Sequence, residues 1–170
     1  MLEKMNGLLI LARHGDYDRM SGHLSEKGKA DSALLALKVE DFLAHTVPVY
    51  ASLALLTGDT PRTQETAYFI GRLLNLDAIV LPQLTFPNPP VSPPEHIAIQ
   101  EAAEAVLAQS TGLDGLIVIT HQTMTSKLLP AVHRLGRELR SALYSGANAV
   151  DPQGRHYEIT PDRGYTIFRS

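Results

Sequence analysis

The sequence predicts a three-layer α/β fold, because short apolar strands alternate with amphipathic helices along most of the chain. Two strands stand out as continuous apolar runs, at residues 8–12 and 115–119. Such runs are typical of strands in a parallel sheet that helices cover on both faces. The chain has 170 residues and no long linker, so we expect a single domain over residues 1–170.

The other elements of the first half follow from capping residues and apolar spacing. Residues 25–44 predict a helix, because the first serine can cap it and apolar residues recur at helical spacing. Residues 47–56 contain a second apolar run and predict a strand. Thr60-Pro61 is typical of an N-cap followed by proline in the first turn, which predicts a helix over 62–74.

A proline-rich segment interrupts the regular elements of the second half. A short strand is predicted at 77–81, and five prolines exclude a helix or a central strand from 84–94, where we expect a surface loop. A capping box then begins a helix over 92–109. A further helix, kinked by a proline, is predicted at 123–134, and alternating residues predict a final edge strand at 164–169.

Composition limits the functions that the chain can have. A formal net charge of −3 argues against a nucleic-acid partner, since proteins that bind duplexes usually carry a basic excess. The absence of cysteine excludes disulfides, thiolate nucleophiles and cysteine-based zinc sites. No segment approaches the ~20 apolar residues of a membrane helix, and Met1–Gly7 does not resemble a signal peptide. We therefore expect a cytoplasmic protein with no membrane partner, whose oligomeric state stays open.

Polar side chains follow the two clearest strands at the point where each strand ends. Arg13 and His14 follow the first strand, and His121 comes after the second. Because the carboxyl ends of parallel strands meet at one edge, and ligands bind there in open α/β sheets, we expect these side chains to lie close together. Arg62 lies in the first turn of a helix, and the N-terminus of a helix also favours anions.

The chemistry of these four side chains suits a phosphate group. Guanidinium groups are permanently charged and bind phosphate oxygens in pairs. A neutral imidazole can act as a nucleophile near neutral pH. The transition state of phosphoryl transfer spreads negative charge over the equatorial oxygens, so fixed cations around it lower the barrier. Two arginines and two histidines could therefore support phosphoryl transfer without a metal ion.

Four motifs lie in order at the predicted strand and helix ends: Leu11-Ala12-Arg13-His14-Gly15, Leu24 to Ala30, Asp59 to Ala67, and Val118-Ile119-Thr120-His121. Together they resemble the histidine phosphatase superfamily. The resemblance implies a phosphoglycerate mutase-like fold, which is a three-layer α/β/α sandwich around a mostly parallel mixed sheet. The short length, Asp16 and Leu81–Thr85 look most similar to the small bacterial phosphohistidine phosphatases.

The resemblance implies a role for each residue of the site. His14 would attack phosphorus and become transiently phosphorylated. Arg13, Arg62 and His121 would hold the phosphoryl oxygens beside Gly15, and water would then release phosphate. The resemblance implies neither a metal nor another cofactor. The partner would be a phosphorylated protein or a small phosphorylated metabolite.

Two carboxylates are candidates for the general acid, Glu95 and Asp16. Larger members of the superfamily supply a glutamate from the segment after the second arginine helix, and Glu95 is the nearest candidate there; its capping-box position is the alternative explanation. Asp16 adjoins the end of the catalytic strand, and its alternative role is that of a turn residue. A phosphohistidine substrate needs a dedicated acid less, because its leaving nitrogen is readily protonated.

These expectations define one function and two alternatives. The first is a metal-free phosphatase that forms a phosphohistidine intermediate and acts on a phosphoprotein, including one carrying phosphohistidine, or on a small phosphoester. One alternative is a phosphosugar or phosphoglycerate-type phosphatase or mutase, which a well-formed acid at Glu95 would support. The other is a non-catalytic module that binds phosphate or phosphopeptides, which oxyanion binding without turnover would identify.

Overall fold

A computed structural model describes residues 7–47, 51–85, 95–135, 140–145 and 148–150. Helices and strands alternate through most of these residues. Their bounds, in chain order, are β1 (Leu8–Arg13), α1 (Glu26–Thr46), β2 (Leu53–Thr57), α2 (Pro61–Leu74), β3 (Ala78–Val80), a short 3-10 helix (Pro82–Leu84), α3 (Glu95–Ala108), β4 (Gly115–Thr120), α4 (Gln122–Arg134), β5 (Arg140–Ser145) and β6 (Asn148–Val150).

The described strands form one sheet in the order β3-β2-β4-β1-β5-β6. β1 is an interior strand, parallel to β4 on one side and to β5 on the other. β2 and β3 continue the parallel part beyond β4, and β6 pairs antiparallel with β5 at the opposite edge. The sheet is therefore mixed and mostly parallel, which confirms the predicted fold class.

Alternate residues of β1 enter two different hydrophobic cores. Leu9 and Leu11 belong to the core that contains the buried residues of α3 and α4. Leu8, Ile10 and Ala12 belong to the core that contains the buried residues of α1 and α2. Because successive side chains of a strand point to opposite faces, the two helix pairs lie on opposite faces of the sheet. This arrangement confirms the three predicted layers and explains why the whole strand is apolar.

The predicted starts of α1 and α2 are confirmed. Ser25 caps α1, because its side chain accepts a hydrogen bond from the backbone N–H of Gly28. Thr60 caps α2 by accepting from the backbone N–H of Thr63, and Pro61 lies in the first turn. Since α2 follows β2 after a short connection, its first turn lies at the carboxyl edge of the parallel strands.

Two parts of the sheet differ from the prediction. β2 begins at Leu53 rather than at residue 47, and Val47 serves as the C-cap of α1. The sequence pattern does not predict β5 or β6. β5 has only a short apolar centre, Ala142–Tyr144, between polar ends, and its strand conformation comes with its pairing to β1. Tertiary pairing therefore decides this region, where the local pattern is weak.

Some predictions fall on residues that the structure does not describe. The edge strand at 164–169 lies outside the described residues, and so do residues 86–94 of the predicted loop. The serine of the predicted capping box is among them, whereas α3 itself is present from Glu95 to Ala108. None of the helices in the described part of the chain is long and apolar enough to cross a membrane.

Candidate active site

The carboxyl ends of β1 and β4 bring the two predicted histidines together. The backbone N–H of His14 donates to the carbonyl of Thr120 over 3.0 Å, which holds the residue after β1 against the end of β4. His121 is the next residue along the chain. The ring centroids of His14 and His121 lie 5.1 Å apart, and the ring planes are inclined by 73°. The two imidazoles therefore share one site.

Arg62, in the first turn of α2, reaches the same site. Its guanidinium carbon lies 4.4 Å from the centroid of the Tyr17 ring. That ring lies nearly perpendicular to the ring of His14, with 5.3 Å between the centroids and 82° between the planes. Arg13, half-buried at the end of β1, lines the same cavity as His14. The structure thus brings the four predicted residues together, and their roles in binding and catalysis stay predictions.

The protonation state of His14 follows from its surroundings. Nδ1 lies 2.8 Å from the carbonyl oxygen of Gly15, which can only accept, so Nδ1 carries the proton and Nε2 keeps the lone pair. Burial lowers the pKa of His14 to about 4, against the hydrogen bond to Gly15, and the charges of Arg62 and Arg13 lower it further. His14 is consequently a neutral imidazole at pH 7 with Nε2 free to react.

The charged form of His121 is disfavoured, as that of His14 is. Burial lowers its pKa to about 4, and the neighbouring His14 and Arg62 act in the same direction. Within the described residues, Nε2 of His121 and Nε of Arg62 are buried with no hydrogen-bond partner. Buried polar atoms usually have partners because an unmade hydrogen bond is costly. With the proton of neutral His121 on Nε2, both atoms are donors, and an oxyanion that lay between these side chains would supply the missing acceptor.

Comparison with known proteins finds similarity at the level of structure. No protein-family profile matches the chain, and no curated protein does. The protein histidine phosphatase SixA, solved with tungstate, is 24% identical over 90% of this chain and 97% of that chain, with a TM-score of 0.53. A mycobacterial glucosyl-3-phosphoglycerate phosphatase, solved with VO3, is 18% identical over 74% and 81%, with a TM-score of 0.52. A phosphoglycerate mutase from Plasmodium falciparum is 20% identical over 70% of each chain, with a TM-score of 0.52.

The chain has the phosphoglycerate mutase-like fold. This is the fold that the four sequence motifs imply. At this level of identity the similarity establishes the fold. Fold similarity alone does not determine what the site does.

Two glycines let the loop after His14 pack against α1. A Cβ atom on Gly28 would lie 1.9 Å from the carbonyl oxygen of Asp16, and one on Gly15 would lie 2.8 Å from the carbonyl oxygen of Gly28. Neither contact is sterically acceptable, so both positions require glycine. The backbone N–H of Gly15 also donates to Oγ1 of Thr66 on α2 over 3.0 Å. The contacts of Gly15 are structural, and its predicted part in substrate binding stays a prediction.

Asp16, one of the two candidate acids, is engaged with the start of α1. The hydroxyl of Ser25 donates to Oδ2 of Asp16 over 2.6 Å, and the backbone N–H of Ser25 donates to its carbonyl oxygen over 3.0 Å. The exposed carboxylate thus tethers the loop to the cap of α1. These contacts favour the structural role, although Asp16 still lines the cavity at His14.

Glu95, the other candidate acid, lies in a different groove. It forms an ion pair with Lys127, and both residues line a groove of about 450 Å³ between α3 and α4. None of the residues that line this groove also lines the cavity of about 470 Å³ at His14. The structure therefore gives Glu95 a partner of its own and does not bring it to His14.

The cavity at His14 includes residues that sequence reasoning did not single out. Besides the predicted Arg13, His14, Gly15 and Asp16, it is lined by Tyr17, Arg19, Lys27, Asp31, Leu34 and Ser145. Their positions depend on the path of the loop after β1, on the outer face of α1 and on β5. Apart from Lys27, which lies in the Leu24 to Ala30 motif, no local motif marks these residues, because their spacing from His14 has a meaning only once the loop is folded. In the described part of the chain, no group of three or more histidines and carboxylates is arranged to hold a metal ion.

Proposed function

We propose that this chain is a phosphatase that transfers the phosphoryl group of its substrate to Nε2 of His14 and then to water. One observation carries the proposal. A buried, neutral imidazole with its lone pair on Nε2 stands beside the unpartnered Nε2 of His121 and Nε of Arg62. A nucleophile, fixed donors and a permanent cation are the groups that phosphoryl transfer needs.

The reaction can be written on these residues without a metal ion. Nε2 of His14 attacks phosphorus, and the bond from phosphorus to the leaving atom breaks as that atom takes a proton. Water then attacks the phosphohistidine, the P–N bond breaks, and phosphate leaves with the imidazole neutral again. Arg13, Arg62 and His121 stabilise the equatorial oxygens in both steps.

The named activities and ligands of the similar structures support this chemistry. One is a protein histidine phosphatase solved with tungstate, and another is a phosphatase solved with VO3. Tungstate and vanadate are oxyanions, as phosphate is. For this chain, an oxyanion is also the class of ligand that would give Arg62 and His121 the acceptors they lack.

The surroundings of the two candidate acids favour a substrate whose leaving atom is easily protonated. Asp16 accepts hydrogen bonds from Ser25, and Glu95 pairs with Lys127 in another groove. A phosphoramidate such as phosphohistidine leaves through a basic nitrogen, so it depends less on a dedicated acid than an alkyl phosphate does. We infer that a phosphohistidine-bearing protein is the preferred substrate.

A small phosphoester is the second candidate, and the cavity at His14 favours it. The cavity of about 470 Å³ has the volume of a small-molecule site. Arg19 and Lys27 line it, so an anionic group on the substrate would find cations there. Lys27 is already paired with Asp31 over 3.1 Å, which leaves Arg19 as the main contact for such a group.

Phosphate release tests the proposal directly. The native chain, His14→Ala and the matched control His45→Ala, which changes an exposed histidine of α1, are compared with EDTA present on a phosphohistidine-bearing protein, an aryl phosphate and a phosphosugar. We expect turnover in the native chain and in the control, and none in His14→Ala. A phosphoryl label on the trapped native chain should be lost in acid and kept in alkali.

The outcomes separate the candidate functions. The substrate with the highest kcat/KM decides between a phosphoprotein and a small phosphoester. Phosphate binding without turnover on any substrate would point to a non-catalytic binding module. Equal activity in His14→Ala and the native chain would mean that His14 is not the nucleophile.

A further inference from the structure

Residues 17–24 form a small hairpin between the site and α1. Tyr17 and Leu24 pair as an antiparallel bridge at its base. The backbone N–H of Asp18 donates to the carbonyl of His23 over 2.9 Å, and that of Gly22 donates to the carbonyl of Asp18 over 2.7 Å. Gly22 takes a φ of +79° that suits glycine. These contacts fix the backbone of Tyr17 relative to the loop that carries His14.

The hairpin contacts α2 at two points. The ring of Tyr17 lies against the guanidinium of Arg62, 4.4 Å from its carbon atom. Nδ1 of His23 donates to Oε1 of Glu65 over 2.7 Å. Arg62 and Glu65 are three residues apart and therefore lie on one face of the helix. The first turn of α2 is thus held by the hairpin on the side that faces His14.

Of the two hairpin residues that contact α2, Tyr17 is the one that also contacts His14. Its face meets Arg62, and its ring lies nearly perpendicular to that of His14, with 5.3 Å between the centroids. A guanidinium on a long side chain loses rotamer freedom when it binds an anion, and an aromatic face that already holds it reduces that loss. No ion pair holds Arg62 within the described residues, so the ring is its main orienting contact.

We propose that Tyr17 is a positioning residue: its ring holds the guanidinium of Arg62 toward an oxyanion bound at His14. The role rests on the proposed function, because it presumes that an oxyanion binds at this site. Its effect falls on oxyanion binding, however, and can be measured without any turnover. Removal of the ring should therefore weaken the binding of inorganic phosphate as well as lower kcat.

Calorimetric titration with inorganic phosphate tests this role. Tyr17→Phe keeps the aromatic face and should bind phosphate within about twofold of the native chain, whereas Tyr17→Leu should bind about tenfold more weakly. The matched control is Tyr68→Leu. Tyr68 lies under Arg72 on the same helix, 5.8 Å from its guanidinium carbon, but it is exposed and away from the site. Its loss should leave phosphate affinity unchanged.

A double-mutant cycle separates positioning from general packing. In an Arg62→Ala background, Tyr17→Leu should weaken phosphate binding no further, because the ring has no guanidinium left to hold. Additive losses would overturn the proposal, and so would native affinity in Tyr17→Leu. Tyr17→Met, a second ring-free variant, should reproduce the loss, and thermal melting confirms that each variant is folded. If the native chain itself binds no phosphate, the proposed function fails and this role fails with it.

Discussion

Two clusters of charged residues, the site at His14 and the groove between α3 and α4, differ in how their charges are satisfied. In the groove, Glu95 and Lys127 neutralise each other while their side chains keep 43% and 49% of their exposure. In the site, Nε of Arg62 and Nε2 of His121 are buried with no partner among the described residues. The ion pair in the groove needs no ligand, whereas the two polar atoms in the site lack a partner until a ligand binds.

This difference is the one expected between a ligand-binding site and a structural ion pair. An exposed ion pair contributes little to stability and implies no ligand, since water would solvate either charge. A buried polar atom without a partner costs stability, and a fold keeps such a cost where a ligand offsets it. The lowered pKa values of His14 and His121 have the same origin, because burial disfavours their charged forms.

Removal of one cation from each cluster should give the largest contrast. Arg62→Ala should lower kcat/KM by about a hundredfold or more, because it removes a preorganised donor from the transition state. Lys127→Ala, the matched change in the groove, should leave kcat/KM within about twofold, because it breaks only an exposed pair. Steady-state kinetics on the best substrate measure both, and thermal melting confirms that both variants fold. Comparable losses would show that the groove belongs to the catalytic site.

The pH dependence of the site should be the next largest effect. Only neutral His14 can attack phosphorus. Its pKa of about 4 means that the nucleophile stays neutral as pH falls from 7 and becomes protonated, and therefore inactive, around pH 4. Histidine resonances in NMR titrations, assigned with His14→Ala and His121→Ala, should accordingly show midpoints near 4. Added phosphate should raise the midpoints, since a bound anion favours the protonated form. A midpoint for His14 at the ordinary value of 6.5 would contradict its burial.

The free energy of unfolding should decrease at acid pH because of the same two histidines. Between pH 6.5 and about 4 the unfolded chain binds protons at these positions, whereas the folded chain does not. The two histidines therefore lower the free energy of unfolding progressively as pH falls from 6.5 toward 4, and this loss is absent above pH 6.5. Urea unfolding across this window measures the loss, and His14→Ala should reduce the pH dependence.

Much of the fold could be predicted because local signals agree with the tertiary structure. β1 and β4 are buried on both faces, so they are continuously apolar, and the caps at Ser25 and Thr60 are local devices. β5 could not be predicted in the same way. Its apolar centre, Ala142–Tyr144, is too short to mark a strand, and its conformation comes with pairing to β1.

The residues of the site likewise divide into those that a local sequence signal predicts and those that depend on the folded structure. Arg13, His14 and His121 stand at the ends of strands, where parallel topology alone brings them to one edge. Tyr17 carries no such signal, since its contact with Arg62 depends on a hairpin that the turn at Gly22 closes. The tautomer of His14 depends on a single carbonyl, which no sequence pattern can reveal.

The smallest expected effect is at Glu95, where the sequence left a catalytic and a structural role open. Glu95→Gln should leave kcat/KM within about twofold and change the free energy of unfolding by less than about 1 kcal/mol, because an exposed ion pair contributes little. The sharpest measurement uses two substrates that differ in their leaving groups, an aryl phosphate and an alkyl phosphate. An acid at Glu95 would matter far more for the alkyl phosphate, whose leaving oxygen needs the proton. A large, selective loss on the alkyl phosphate would therefore make Glu95 the general acid and bring the groove between α3 and α4 into the reaction.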